Sequence, residues 1–129
     1  MVEMYGNGIQ MTEKALDFLW GRQNVTLDNI ANVDTPGFKS QYVDFETEMR
    51  SRMRAASGED RPRMAISKAI SSTRASLKTT WIEGSRMDGN NVDMDQEQVE
   101  LVRTAYQYQA LVLSINNDLN GLRSAAKMF

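Results

Sequence analysis

Neither cysteine nor histidine occurs among the 129 residues. The first absence removes disulfides and thiolate metal sites. The second removes the commonest general base and the commonest metal ligand. Catalysis would have to run on carboxylates, lysine, tyrosine or serine, and no constellation of these can be assembled along the chain. No catalytic, metal or cofactor-binding residue is therefore assigned, no cofactor is expected, and the chain is not read as an enzyme. Long apolar runs are missing too. No segment approaches the roughly 18 uninterrupted apolar residues of a membrane span, so direct membrane insertion is not expected. The opening stretch carries Glu3 and Glu13 and has no basic start followed by an apolar run, so it does not read as a cleaved secretory signal. There is no internal repeat and no Gly-rich phosphate loop.

What is present is unevenly placed. Hydrophobic residues make up 41% of the chain, mean hydropathy is -0.50, and the apolar positions crowd toward the two ends. Residues 1–49 hold Lys14, Arg22 and Lys39 against eight acids. Residues 50–87 hold nine bases against Glu59, Asp60 and Glu83, and residues 88–129 hold three bases against six acids. Two acidic ends thus flank a basic middle, and surfaces of opposite sign can meet within or between subunits. Arg50, Arg52, Arg54, Arg61 and Arg63 lack the interleaved aromatic residues of a nucleic-acid platform. Nucleic acid is not an expected partner.

Helical spacing predicts a first helix from about Ile9 to about Asn32, with Leu16, Leu19 or Trp20, Gln23, Leu27 and Ile30 on one face. Pro36 disfavours helix at Thr35, and Pro36-Gly37 suits the central positions of a type II turn. Phe38 to Phe45 reads as extended, and Glu46 to Ala56 as helical. Ser57 to Arg63 is a turn or linker by composition, Ser, Thr, Lys and Arg dominate up to Lys78, and this middle is expected to be mobile. Thr79 to Glu83 reads as a short strand and Gly84 to Asn91 as a loop. The last helix is the clearest element. Asp93 is a good N-cap, with Gln96 three residues on and Asp95 and Glu97 in the first turn. Leu101, Ala105, Tyr108, Val112, Ile115, Leu119, Leu122 and Ala126 follow at alternating spacings of four and three, an a/d seam that needs a helical partner. Asp88 to Asp95 fails as a calcium loop, because Val92, Asp93 and Val99 stand where an oxygen ligand, Gly and Glu are required. The nine methionines include Met11, Met49, Met53 and Met128 flanking the helical segments, where soft side chains adapt to imperfect packing.

On physical grounds alone, Asn29-Ile30-Ala31-Asn32-Val33-Asp34-Thr35-Pro36-Gly37-Phe38 is a helix stop followed by a turn. The stretch also resembles the N-terminal signature of bacterial flagellar axial proteins (rod, hook and hook-associated), N-x-A-N-x-x-T-x-G-[FY]. Asn29, Ala31, Asn32, Thr35, Gly37 and Phe38 match it position by position. Pro36, Tyr42-Val43-Asp44-Phe45, and Asp88 to Asp95 leading into a helix with Tyr108-Gln109-Ala110-Leu111-Val112 resemble the proximal rod branch. Arg22 is the one residue matched to the first-helix arginines of that family. The resemblance covers about residues 10–48 and 79–126 and leaves 53–78 without a motif.

Residues and resemblance together give a mainly α fold. Long N- and C-terminal helices form a partial coiled coil around a short extended or β and partly disordered middle. Residues 1–52 and 88–129 form the rod core, with 53–87 as a variable basic middle. The resemblance implies a structural subunit of the proximal rod of the flagellar basal body, passing motor torque. It implies assembly helically with itself and other rod proteins, and contact with the flagellar export apparatus and the MS-ring/rod junction. It also implies export to the periplasmic rod without a cleaved signal. Asn29, Ala31, Asn32, Thr35, Pro36, Gly37, Phe38, Asp44 and Phe45 are the expected assembly motif, and Leu101 to Leu122 along the seam the expected packing surface. Two other readings stand beside this one: the sister proximal rod protein, and a helical adaptor using its basic middle.

Overall fold

A computed structural model describes residues 2–79 and 87–128. In chain order the elements are α1 (Val2–Ala31), β1 (Gln41–Asp44), α2 (Glu46–Ser57), α3 (Pro62–Ser72), β2 (Ser76–Thr79) and α4 (Met94–Lys127). The long helices span about 45 and 51 Å at 1.5 Å per residue. Asn29, near the end of α1, hydrogen-bonds Glu97 near the start of α4. Leu19, Trp20 and Gln23 lie beside Thr104, Ala105 and Tyr108. The two helices therefore run antiparallel.

α4 begins where its sequence says it should. The Asp93 carboxylate accepts hydrogen bonds from the Asp95 and Gln96 amides at 3.0 and 3.4 Å, satisfying two orphan donors of the first turn. α1 starts earlier than its apolar spacing suggested, at Val2 rather than about Ile9. It also carries two working faces where the spacing showed one. Leu19 is buried toward α4, while Trp20 and Leu27 are 62% and 47% exposed. A second face, Phe18 with Val25, joins Val43, Phe45, Met49 and Ile70 in the central apolar cluster. Phe18 stacks on Phe45 with ring centroids 4.4 Å apart. α1 is thus covered on one side by α4 and on another by β1, α2 and α3.

The middle of the chain is more structured than its composition indicated. The boundary drawn at residues 52/53 falls inside α2, and residues 62–72 form α3, with Pro62 at its first position where the missing amide costs nothing. Ile66 and Ile70, one turn apart, turn into the core, and Ile70 is 1% exposed. That short apolar face is diluted by Ser, Lys and Arg on the solvent side, so composition hid what spacing would have shown. β2 pairs antiparallel with β1, Gln41 opposite Thr79 and Asp44 opposite Ser76. A two-stranded ribbon is marginal alone; here Val43 anchors it to α1. β2 contains Thr79, the first residue of the strand expected at Thr79 to Glu83; Thr80 to Glu83, with the first residues of the expected loop at 84–86, fall outside the described residues.

Candidate functional site

The last turn of α1, the Pro-Gly turn and the loop before α4 close on one another. Asn32 ends α1, its amide donating to the Asp28 carbonyl at 3.1 Å. Its side chain accepts from the Thr35 hydroxyl at 3.1 Å. The Phe38 amide donates to the Thr35 carbonyl at 3.2 Å, and Gly37 adopts φ 75°. This is the type II geometry, in which the second central residue must enter the left-handed region that glycine tolerates.

Against this turn lies Asp88-Gly89-Asn90-Asn91. The Gly37 amide donates to the Asp88 carbonyl at 2.7 Å, and the Asn91 amide to the Phe38 carbonyl at 3.2 Å. Gly89, at φ 79°, comes so close that a Cβ there would sit 3.5 Å from Gly37 Cα. Asn90 is fully buried. Its Nδ2 donates to the carbonyls of Asn32 and Thr35 at 2.9 and 2.8 Å, and its Oδ1 accepts from the Val92 amide at 2.8 Å. The Ser40 amide donates to Asn91 Oδ1 at 2.6 Å, and Lys39 Nζ donates to the Gly89 carbonyl. Only a side chain with a donor and an acceptor on one planar group can make the Asn90 set.

One turn back, Asn29 performs the same double role. Its Oδ1 accepts from the Gln41 amide at 2.9 Å. Its Nδ2 donates to the Gln41 carbonyl at 2.7 Å and to Glu97 Oε1 at 3.2 Å. One buried amide therefore ties α1, β1 and α4. Burial pushes the Glu97 carboxyl above its ordinary value, with Glu100 and Asp93 adding to the rise, while the Asn29 hydrogen bond opposes it.

The structure thus brings Asn29, Asn32, Thr35, Gly37 and Phe38 into one clasp. Ala31 and Pro36 face solvent beside it. Asp44 and Phe45 stand apart, at the far end of β1. Asp44 pairs with Lys78 at 2.6 Å, which holds its carboxyl below the usual range. Phe45 is in the core beneath the Arg22 guanidinium, 5.1 Å from its ring centroid. Arg22 Nη2 donates to the Glu46 carboxylate at 2.7 Å and to the Val43 carbonyl at 2.9 Å. The basic middle is partly spoken for: Arg52 pairs with Glu48 at 2.8 Å and donates to Ser72. Asn90, Ser40 and Glu97 join the clasp without belonging to the expected assembly motif. For Asn90 the signal was the Asp-Gly-Asn-Asn run just ahead of a helix cap, for Glu97 its place in the first turn of the last helix, and Ser40 carried none.

The expected seam on α4 is turned relative to the packed face. Leu101, Val112, Ile115 and Leu122 are half-buried, but Ala105, Tyr108 and Leu119 are exposed. Thr104, 2% exposed, takes the place expected of Ala105. Asp118 is likewise half-buried beside the exposed Leu119, so along its length α4 packs on the Thr104, Leu111 and Asp118 side of the row Leu101, Tyr108, Ile115 and Leu122. The Thr104 hydroxyl and Gln23 Oε1 are buried without a hydrogen-bond partner among the described residues. They line a gap of about 190 Å³ between α1 and α4, flanked by Trp20 and Tyr108.

Comparison with known proteins locates the same region. A family model described as "Flagella basal body rod protein" matches residues 15–39, the second half of α1 and its turn. Over 126 residues, 95% of each chain, the sequence is 31% identical to the flagellar basal body rod protein FlgB of Bacillus subtilis (strain 168). The chain belongs to the FlgB family of flagellar basal body rod proteins. The FlgB of Proteus mirabilis (strain HI4320) is 31% identical over 130 residues, again 95% of each chain. That of Escherichia coli (strain K12) is 26% identical over 132 residues, 95% of this chain and 94% of the other. The sister-protein reading is not favoured by relatives that bear the FlgB name. In this FlgB-family chain the segment matched by the family model supplies one jaw of the clasp, and residues 88–91 supply the other.

Proposed function

We propose that this chain is a structural, non-catalytic subunit of the proximal flagellar rod, stacking helically with its own copies and with other rod proteins to carry motor torque. The observation that carries the reading is the one-sided cover of α4. This 34-residue helix leaves Val99, Val102, Tyr106, Leu113 and Leu119 45–70% exposed. Apolar surface of that length has its natural cover in neighbouring subunits, and contacts that do not close on themselves extend into a helical tube. The clasp gives the helix pair a fixed geometry, which a shaft under torsion needs. Among the described residues no helix is long and apolar enough to cross a membrane. The same reading includes passage through the flagellar export apparatus and attachment at the MS-ring/rod junction.

The test is complementation of a strain deleted for this gene. The full chain should restore motility and be found in purified basal bodies. Leu119→Asp, which puts a carboxylate on exposed apolar surface, should still be exported but be missing from basal bodies. Asn117→Asp, two residues away and also exposed, should behave as the full chain. Intact rods in the deletion strain would refute the assignment, and normal incorporation of Leu119→Asp would refute the role given to α4.

A further inference from the structure

Two surfaces of the molecule remain open and are opposite in character. The first is a groove of about 500 Å³ between α1 and α2, floored by Met11, Ala15, Met49 and Met53 and edged by Arg50, Arg54 and Glu46, the last already paired with Arg22 at 2.7 Å. Met49 is buried while Met11 is 39% exposed, so the floor is apolar yet reachable. The second is the outer face of α4. Asp95, Val99, Val102 and Tyr106 follow at spacings of four, three and four, on one side of the helix. That side is opposite the face that Leu101, Thr104 and Ile115 turn toward α1. Val99, Val102 and Tyr106 are 65%, 54% and 70% exposed, and Asp95, Val99 and Val102 border a common shallow depression. Arg103 also borders it, but its charge is matched by Glu100 at 3.5 Å.

We propose that the outer face of α4 in one copy of this chain docks into the α1/α2 groove of a second copy. The proposal rests on the rod-subunit reading and specifies the two surfaces that meet. Charge selects the occupant. Among the described residues Arg50, Arg54 and Asp95 have no ion-pair partner. The cationic edges of the groove meet the acidic start of α4, while Val99, Val102 and Tyr106 meet methionines, whose unbranched side chains mould to an incoming face. Geometry then sets the type of association. α2 and α4 pack on different sides of α1, so one subunit can offer its helix to a neighbour while its own groove receives a third copy. Such a contact is heterologous and propagates instead of closing into a two-fold dimer.

The absence of native cysteine makes disulfide trapping a clean test. Val102→Cys and Met53→Cys, carried by differently tagged full-length chains, are expressed together in the deletion strain and basal bodies are oxidised. The expected product is a mixed dimer bearing both tags. Val102→Cys paired with Met64→Cys, a 68% exposed position on α3 that does not line the groove, should give none. Arg54→Glu in the groove chain should reduce the mixed dimer, and Asp95→Lys in its partner should restore it. The same variants mixed as purified chains give a second measurement should incorporation fail. Incorporation of both chains without a mixed dimer, or Val102→Cys trapped to a different protein, overturns the docking while leaving the rod assignment intact. Absence of the unsubstituted chain from basal bodies overturns the rod assignment itself.

Discussion

Asn90→Ala tests whether the clasp holds the terminal helices together. The fully buried side chain makes three hydrogen bonds, to the Asn32 and Thr35 carbonyls and from the Val92 amide. Both carbonyls keep a second donor, since Asn32 also accepts from the Thr35 amide and Thr35 from the Phe38 amide. The loss is therefore at least the net worth of the bonds, about 1 kcal/mol each and about 3 kcal/mol in all, because the buried Val92 amide also gives up this acceptor. Against a total of about 5–15 kcal/mol for a domain this is a large fraction. At a urea slope of about 2 kcal/mol per molar, the unfolding midpoint falls by about 1.5 M. The assay is urea unfolding followed by circular dichroism at 222 nm, comparing slopes as well as midpoints. Asn90→Asp is the informative companion. It keeps the shape and the acceptor toward Val92 but turns a carboxylate oxygen on two carbonyls, so at neutral pH it should be at least as damaging as alanine. A midpoint shift within error for Asn90→Ala, or a benign Asn90→Asp, would refute the claim that this amide holds the jaws closed.

Gly37→Ala should lower the thermal midpoint by an amount corresponding to about 1–2 kcal/mol, and Gly37→Val by more. No atom lies within 4 Å of a Cβ built there, so the cost is that of holding φ 75° against a side chain; equal melting of the two variants would point to another cause. Thr104→Val should raise stability by about 1 kcal/mol in urea unfolding, because the buried hydroxyl has no partner among the described residues and the methyl replaces it at equal volume. Glu97→Gln should stabilise at pH 7. Burial raises the folded-state pKa of Glu97, so the native state binds its proton more tightly than the unfolded state. Stability linked to this group is fully present below the unfolded value of about 4.3 and is lost as pH rises through the folded pKa. The advantage of glutamine should therefore shrink as pH is lowered toward 4 and below, and a gap that widens there would reverse the sign of the argument.

Features written into neighbouring residues were legible in the sequence. The Asp93 cap, the Pro36-Gly37 turn, the helical span of α4 and the extended run through β1 depend on residues within about four positions of one another, and local chemistry decides them. The motif around Asn29 to Phe38 was legible as a resemblance, and it marked the turn that the clasp uses. Other features were decided only when distant segments met. α3 became a helix because Ile66 and Ile70 found Phe18, Phe45 and Met49; its composition alone described a solvated linker. The second face of α1 existed only once β1 and α2 folded back onto Phe18 and Val25. The role of Asn90 depended on carbonyls 55 and 58 residues away, and the burial of Thr104 on which side of its apolar row α4 turns to α1. Local rules see the 3.6-residue period of one helix. They cannot see which carbonyl, ring or helix will stand opposite, and that complement is what turns Asn29, Asn90 and Glu97 from polar residues near helix ends into the joint between them.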